Sequence, residues 1–228
     1  MRRLRLRPET GFTLIEMMVA LLLGIIVSAA TLAIVITSVH LSSNYNDRVD
    51  ATQQGRVAML KITQALESSC VAVGVAPILA ASDSNDVWFY SALSDSPTIA
   101  PNKLEISLTG GSLVMNTYAY VSGAAPNWVF ASTPTAFTLV VNAQPVSSTP
   151  VFQYYGYGAN GVLSGTPYTI TTNLGSNAAT TDEVAINFQA NPTDNWTALG
   201  RAASLSDAVV LRLASASGAT GAANLPCT

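Results

Sequence analysis

The chain has 228 residues, only 10% of them charged and 49% hydrophobic, with ten basic against thirteen acidic side chains and a formal charge of −3. That balance supplies no basic surface of the kind that grips nucleic-acid phosphates, so nucleic acid is not an expected partner. The one histidine, His40, stands at the end of a long apolar run rather than within the later part of the chain, so neither a histidine-based catalytic triad nor a histidine-rich metal site is expected within one domain.

The chain opens with a short basic leader in which Arg2, Arg3, Arg5 and Arg7 are opposed only by Glu9. From Met17 to Val39 there follow 23 residues without a charge. As a helix these cover about 34 Å, enough to cross a hydrocarbon core of about 30 Å. The arginines ahead of the span place the N-terminus on the cytoplasmic side. Glu16 stands at the entrance of this apolar segment, where an ionised carboxylate costs several kcal/mol unless it is near the interface or paired. An ordinary secretory signal fits poorly, because its apolar region is shorter and its cleavage site lies beyond that region.

Gly11, then Phe12, Thr13, Leu14, Ile15 and Glu16, set between a basic leader and an unbroken apolar run, resemble the cleavage and methylation signal of type IV pilins and type II secretion pseudopilins. The resemblance covers about the first 30 residues, and it implies a structural subunit rather than an enzyme. It implies that a prepilin peptidase cuts between Gly11 and Phe12 and methylates Phe12. It also implies other pilin or pseudopilin subunits, an inner-membrane assembly platform and membrane lipid as partners. The chain would first be a single-pass inner-membrane protein and then part of an extracellular or periplasmic filament. Losing residues 1–11 would leave six basic against twelve acidic side chains. The new amine on Phe12 would lie about one helical turn from Glu16, so the carboxylate could pair within its own subunit or with the amine of a neighbour. Many pilins carry a proline in the middle of the membrane half, where this chain has Ala33, and this departure resembles minor pilins and pseudopilins.

Beyond the span the helical period continues to about Ser68. Ala51, Gly55, Ala58, Met59, Ile62, Ala65 and Leu66 recur at helical spacing, forming a narrow stripe on which a sheet could pack. A continuous helix over 12–68 would be roughly 85 Å long.

From Val71 the chain turns to short apolar runs broken by turn residues, and eight of them read as strands: Val87–Leu93, Leu104–Leu108, Ser112–Val121, Ala136–Val141, Val151–Gly158, Pro167–Thr172, Asp182–Ala190 and Asp207–Ala214. Gly110-Gly111 and Asn160-Gly161 are hairpin signals. The expected class is α+β: a long N-terminal helix, half transmembrane and half amphipathic, packed against an antiparallel sheet. The division is a leader at 1–11, the helix at 12–68 and a β-rich domain at 69–228. The aromatic strand with its Gly turn, the two strands after it and the terminal Pro-Cys-Thr also resemble the C-terminal half of minor pilins and pseudopilins.

Cys70 and Cys227 both lie on the exported side of the span, where a disulfide between them is expected. No phosphate-binding loop, nucleophile elbow or HExxH motif is present, and no cofactor or metal is expected. Asp83 and Asp86 lack the spacing of a calcium loop and read as a solvated turn. Asp182 and Glu183 open a strand and read as exposed, and His40 reads as an interfacial residue. Trp88, Trp128, Trp196, Tyr154, Tyr155 and Tyr157 are mostly core by expectation, with one tyrosine set left to face solvent. A surface-binding platform built from them is the basis of an alternative role as a filament-tip adhesin.

Overall fold

The computed structural model describes residues 11–72, 74–92, 100–158, 160–192, 202–211 and 227. It divides into two compact units, residues 1–46 and 47–228. One helix, α1, runs from Leu14 to Glu67, so that its first part lies in the first unit and its last part in the second.

In the first unit the helix is the whole of the described structure. α1 is long and apolar enough to cross a membrane, with a mean hydropathy of 2.8 over its most apolar window and none of that window buried. Its few hydroxyls turn back on the helix. Thr31 donates to the carbonyls of Val27 and Ser28, and Thr37 to that of Ala33. Hydrocarbon offers no water to satisfy polar groups, so such internal bonds are what a spanning helix requires.

In the second unit α1 buries Ala51, Gly55, Ala58, Met59, Ile62, Ala65 and Leu66, the same seven residues as the helical stripe in the sequence. Most are small, which lets the β-structure approach the helix closely. Gly55 faces Leu205 and Ala190 so tightly that a methyl group there would overlap the leucine side chain.

Among the described residues ten strands follow: β1 Asp86–Ser91, β2 Asn102–Thr109, β3 Ser112–Tyr118, β4 Tyr120–Ser122, β5 Val129–Phe130, β6 Thr135–Val141, β7 Ala143–Gln144, β8 Phe152–Tyr155, β9 Glu183–Ala190 and β10 Ala203–Val210. They form two four-stranded antiparallel sheets and a small β4-β5 ribbon. The first sheet has the order β1-β2-β3-β6; in the second, β9 pairs with β10 on one side and with β7 and β8 on the other. Gly110 and Gly111 turn β2 into β3 with φ of 59° and 75°, the left-handed conformation that a two-residue hairpin turn needs.

Alternation along the strands sends one face inward. Val87 and Phe89, then Leu104 and Ile106, point into the core from the first sheet, while Phe152, Tyr154, Val184, Ile186 and Phe188 do so from the second. With Ala58, Ile62 and Leu66 of α1 they make one apolar cluster. Each large side chain removed from water contributes about 1.5–3 kcal/mol, so this cluster is the main source of cohesion.

The class is α+β as expected, a long helix packed with antiparallel β-structure, here built as two sheets and a ribbon. Two expectations about single strands need correction. Pro167–Thr172 is not a strand: Pro167 has no N–H to donate, and Tyr168 is held singly, its amide on the Tyr154 carbonyl and its hydroxyl on the Thr180 carbonyl. The last strand begins earlier than expected, at Ala203, and ends at Val210; the residues 212–214 of the expected strand lie outside the described residues.

Candidate functional site

At the start of the helix, Gly11 has open space around the position of a side chain and Phe12 is 79% exposed. Thr13 is the first residue to organise the chain. Its carbonyl accepts from the amides of Glu16 at 3.1 Å and Met17 at 3.3 Å, and its hydroxyl accepts from the Glu16 amide at 3.4 Å. Thr13 is therefore the N-cap of α1, satisfying donors that a helix end otherwise leaves open. Glu16, three residues on, is the acid of the first turn, where the positive end of the helix dipole favours a carboxylate. The capping role of Thr13 is what sequence reading missed. The signal was present, since Thr-x-x-Glu before an apolar run is a capping-box pattern.

The arrangement leaves an accessible Gly11-Phe12 junction, then a fixed helix start, then a helix whose sole ionisable group before His40 is Glu16. Of the leader, residues 1–10 lie outside the described residues.

The second feature is a clasp. Cys70 and Cys227 are joined by a disulfide with their Cα atoms 5.5 Å apart and a separation of 157 in sequence. Both are buried, in a small cluster with Ala72 against which Val75, Tyr90, Ala125 and Trp128 pack. The Cys70 amide also donates to the Tyr90 carbonyl at 2.9 Å. The disulfide thus ties the chain just after α1 to Cys227, while the amide of Cys70 ties it to β1.

Elsewhere the polar residues are structural. The Asp83 carboxylate accepts from the amides of Asn85 and Asp86 and shapes the turn into β1. Asp86 has a buried carboxylate oxygen, Oδ1, without a hydrogen-bond partner. Burial, reinforced by the charges of Asp83 and Glu105, pushes its pKa up to about 6. The Tyr154 hydroxyl lies 2.9 Å from the carbonyls of both Asp83 and Asp86, and burial of the ring raises its pKa well above the ordinary value. Among the described residues no group of three or more His, Cys, Asp or Glu side chains could hold a metal ion.

Asp182, expected to be exposed, is buried and its carboxylate accepts from the Tyr157 amide at 3.0 Å; it anchors the aromatic strand instead of facing solvent. Of the tyrosines, Tyr154 is core and Tyr157 is exposed. Trp88 stacks on Tyr118 with Lys103 over its ring, and Trp128 packs edge-on against Tyr90, so these two tryptophans belong to separate aromatic groups. Trp196 lies outside the described residues. His40 is an exposed residue of α1.

A capped helix start followed by an apolar stretch that carries no charge from Met17 to Val39 and is exposed throughout defines the class, a chain with a helix long and apolar enough to anchor it in a membrane. The particular motif follows from comparison: residues 6–32 match the prokaryotic N-terminal methylation motif. That match supports a structural subunit of pilin or pseudopilin type that prepilin peptidase processes. No curated protein matches the chain.

Proposed function

We propose that this chain is a minor pilin or pseudopilin, a structural subunit of a type IV pilus or type II secretion-like filament. Prepilin peptidase cuts between Gly11 and Phe12 and methylates Phe12. The helix 12–68 then holds the subunit in the inner membrane, with residues 69–228 as its β-rich exported domain. During assembly Glu16 of an incoming subunit meets the Phe12 amine of its neighbour, which fixes the axial register. The observation that carries this reading is the placement of Glu16, one turn past an exposed Gly11-Phe12 junction and directly ahead of the uncharged stretch Met17–Val39, inside the matched motif.

Glu16→Ala tests it. Removing a charge from an apolar helix leaves membrane insertion intact, whereas loss of the pairing lowers incorporation into filaments; equal incorporation of variant and wild type refutes the assembly role.

A second reading, a filament-tip adhesin on the same framework, draws on one observation. Trp88, Lys103, Glu105, Asn116 and Tyr118 are partly exposed neighbours across β1, β2 and β3, combining stacked rings with hydrogen-bonding groups. Binding of the intact protein to immobilised glycans, lost in Trp88→Ala, would favour that role.

A further inference from the structure

We propose that the groove between α1 and the outer edge of β10 is a docking site for an extended, acidic polypeptide segment, which joins the second sheet as an additional strand. The groove has a volume of about 740 Å³ and is walled by the helix from Arg48 to Thr63 and by the strand from Ala203 to Asp207.

The strand supplies the first reason. β10 ends the order of its sheet, and among the described residues no strand pairs with its far side. Such an edge presents a row of main-chain donors and acceptors, which a partner in extended conformation can satisfy. β10 is also uncrowded on the solvent side, with Ser204, Ser206, Asp207 and Ala208 exposed.

Charge supplies the second. Four lysine and arginine side chains occur among the described residues: Arg48, Arg56, Lys61 and Lys103. Both lysines are engaged, Lys61 over the Phe137 ring at 3.8 Å and Lys103 over the Trp88 ring at 4.3 Å. Both arginines line the groove, exposed and with no carboxylate partner among the described residues. The acid in the groove, Asp207, instead accepts from the Thr63 hydroxyl at 3.4 Å. In a chain of net negative charge, two guanidinium groups in one concavity, without a carboxylate partner among the described residues, complement a negative ligand, and carboxylates suit their forked geometry.

Dimensions supply the third. Arg48 and Arg56 are separated by an axial rise of about 12 Å along the helix. An extended chain advances about 3.3 Å per residue, so acids at positions i and i+4 lie about 13 Å apart and on the same face. The helical wall from Arg48 to Thr63 is about 22 Å long by the same rise, room for six or seven extended residues. Leu60 lines the groove one turn beyond Arg56 and suits an apolar residue there.

The groove exists whether or not the leader is removed, so this proposal stands or falls apart from the assembly reading. The test uses the full chain in detergent micelles and a labelled peptide, Ac-TETVTETV-NH2, whose glutamates are four apart, beside a counterpart with lysine in place of glutamate. The expected result is saturable binding of the acidic peptide alone, with slowed amide exchange along Ala203–Val210. The double variant Arg48→Gln, Arg56→Gln should weaken binding at least fivefold, and Lys103→Gln should leave it unchanged. Because both arginines are exposed, exchange in β9 reports whether the double variant keeps its fold. Failure of the acidic peptide to bind, equal binding of the lysine peptide, or binding without protection of β10 would overturn the proposal. So would capture of a polyuronate oligosaccharide in its place, since a sugar has no use for the strand edge.

Discussion

The Glu16 amide donates to the hydroxyl of Thr13 at 3.4 Å, so the residue that starts the helix also fixes the position of its one first-turn acid. Thr13→Ala removes this cap at a typical cost of about 1 kcal/mol. Amide exchange at Glu16 and Met17 should quicken about fivefold in micelles, while Thr13→Ser preserves the wild-type rates. Unchanged exchange in the alanine variant would show that the cap does not hold the helix start.

Asp86 should make stability depend on pH. Burial, then the charges of Asp83 and Glu105, raise its pKa from 3.8 to about 6, so the folded chain binds this proton more tightly than the unfolded chain. The resulting stability is fully present below pH 3.8 and is lost as the pH rises through about 6. Asp86→Asn should therefore be more stable than wild type at pH 7, by on the order of 1 kcal/mol after allowing for solvent screening on its open side. At pH 4 the two should nearly coincide. Urea unfolding at a series of pH values checks this, and a pH-independent difference would contradict it.

Gly156 and Gly55 should respond differently to alanine. At Gly156 a methyl group would meet the Tyr168 hydroxyl and the main-chain carbonyl of Thr180, and the carbonyl cannot turn aside. Gly156→Ala should cost about 2–3 kcal/mol, as overpacking of a rigid site does. At Gly55 the obstacle is the flexible end of Leu205, so Gly55→Ala should cost less, and less still beside Leu205→Ala. Denaturant midpoints of the three variants decide the order.

The Cys70–Cys227 bond closes a loop spanning 157 positions. Restricting the unfolded chain over such a loop is worth roughly 5 kcal/mol in the chain-entropy model. Cys70→Ser with Cys227→Ser should lower the unfolding midpoint markedly, and reductant should do the same to wild type but not to the variant. Equal midpoints with and without the bond would remove its structural role.

The buried stripe of α1 was legible residue by residue, because a helix repeats every 3.6 residues and a one-sided core imprints that period directly. The hairpin at Gly110-Gly111 was equally plain. What the sequence concealed was pairing at a distance. That β9 joins β10 on one side and both β7 and β8 on the other depends on partners dozens of residues away, and β7, two residues long, carries no period at all. Asp182 looked exposed because its type is usually solvated, yet it is buried where it accepts the Tyr157 amide. The glycine, the phenylalanine and the acid of the proposed processing site were visible as a local motif, whereas the capping role of Thr13 was passed over because a threonine next to an apolar run draws no notice until the helix start is considered.

The central claim is processing at the Gly11-Phe12 junction, and intact-mass analysis of the protein extracted from cells that contain a prepilin peptidase tests it most directly. The account predicts a chain beginning at Phe12 with one added methyl group, and a full-length chain for Gly11→Val. A wild-type chain that still begins at Met1, or one cut beyond Val39, would contradict it.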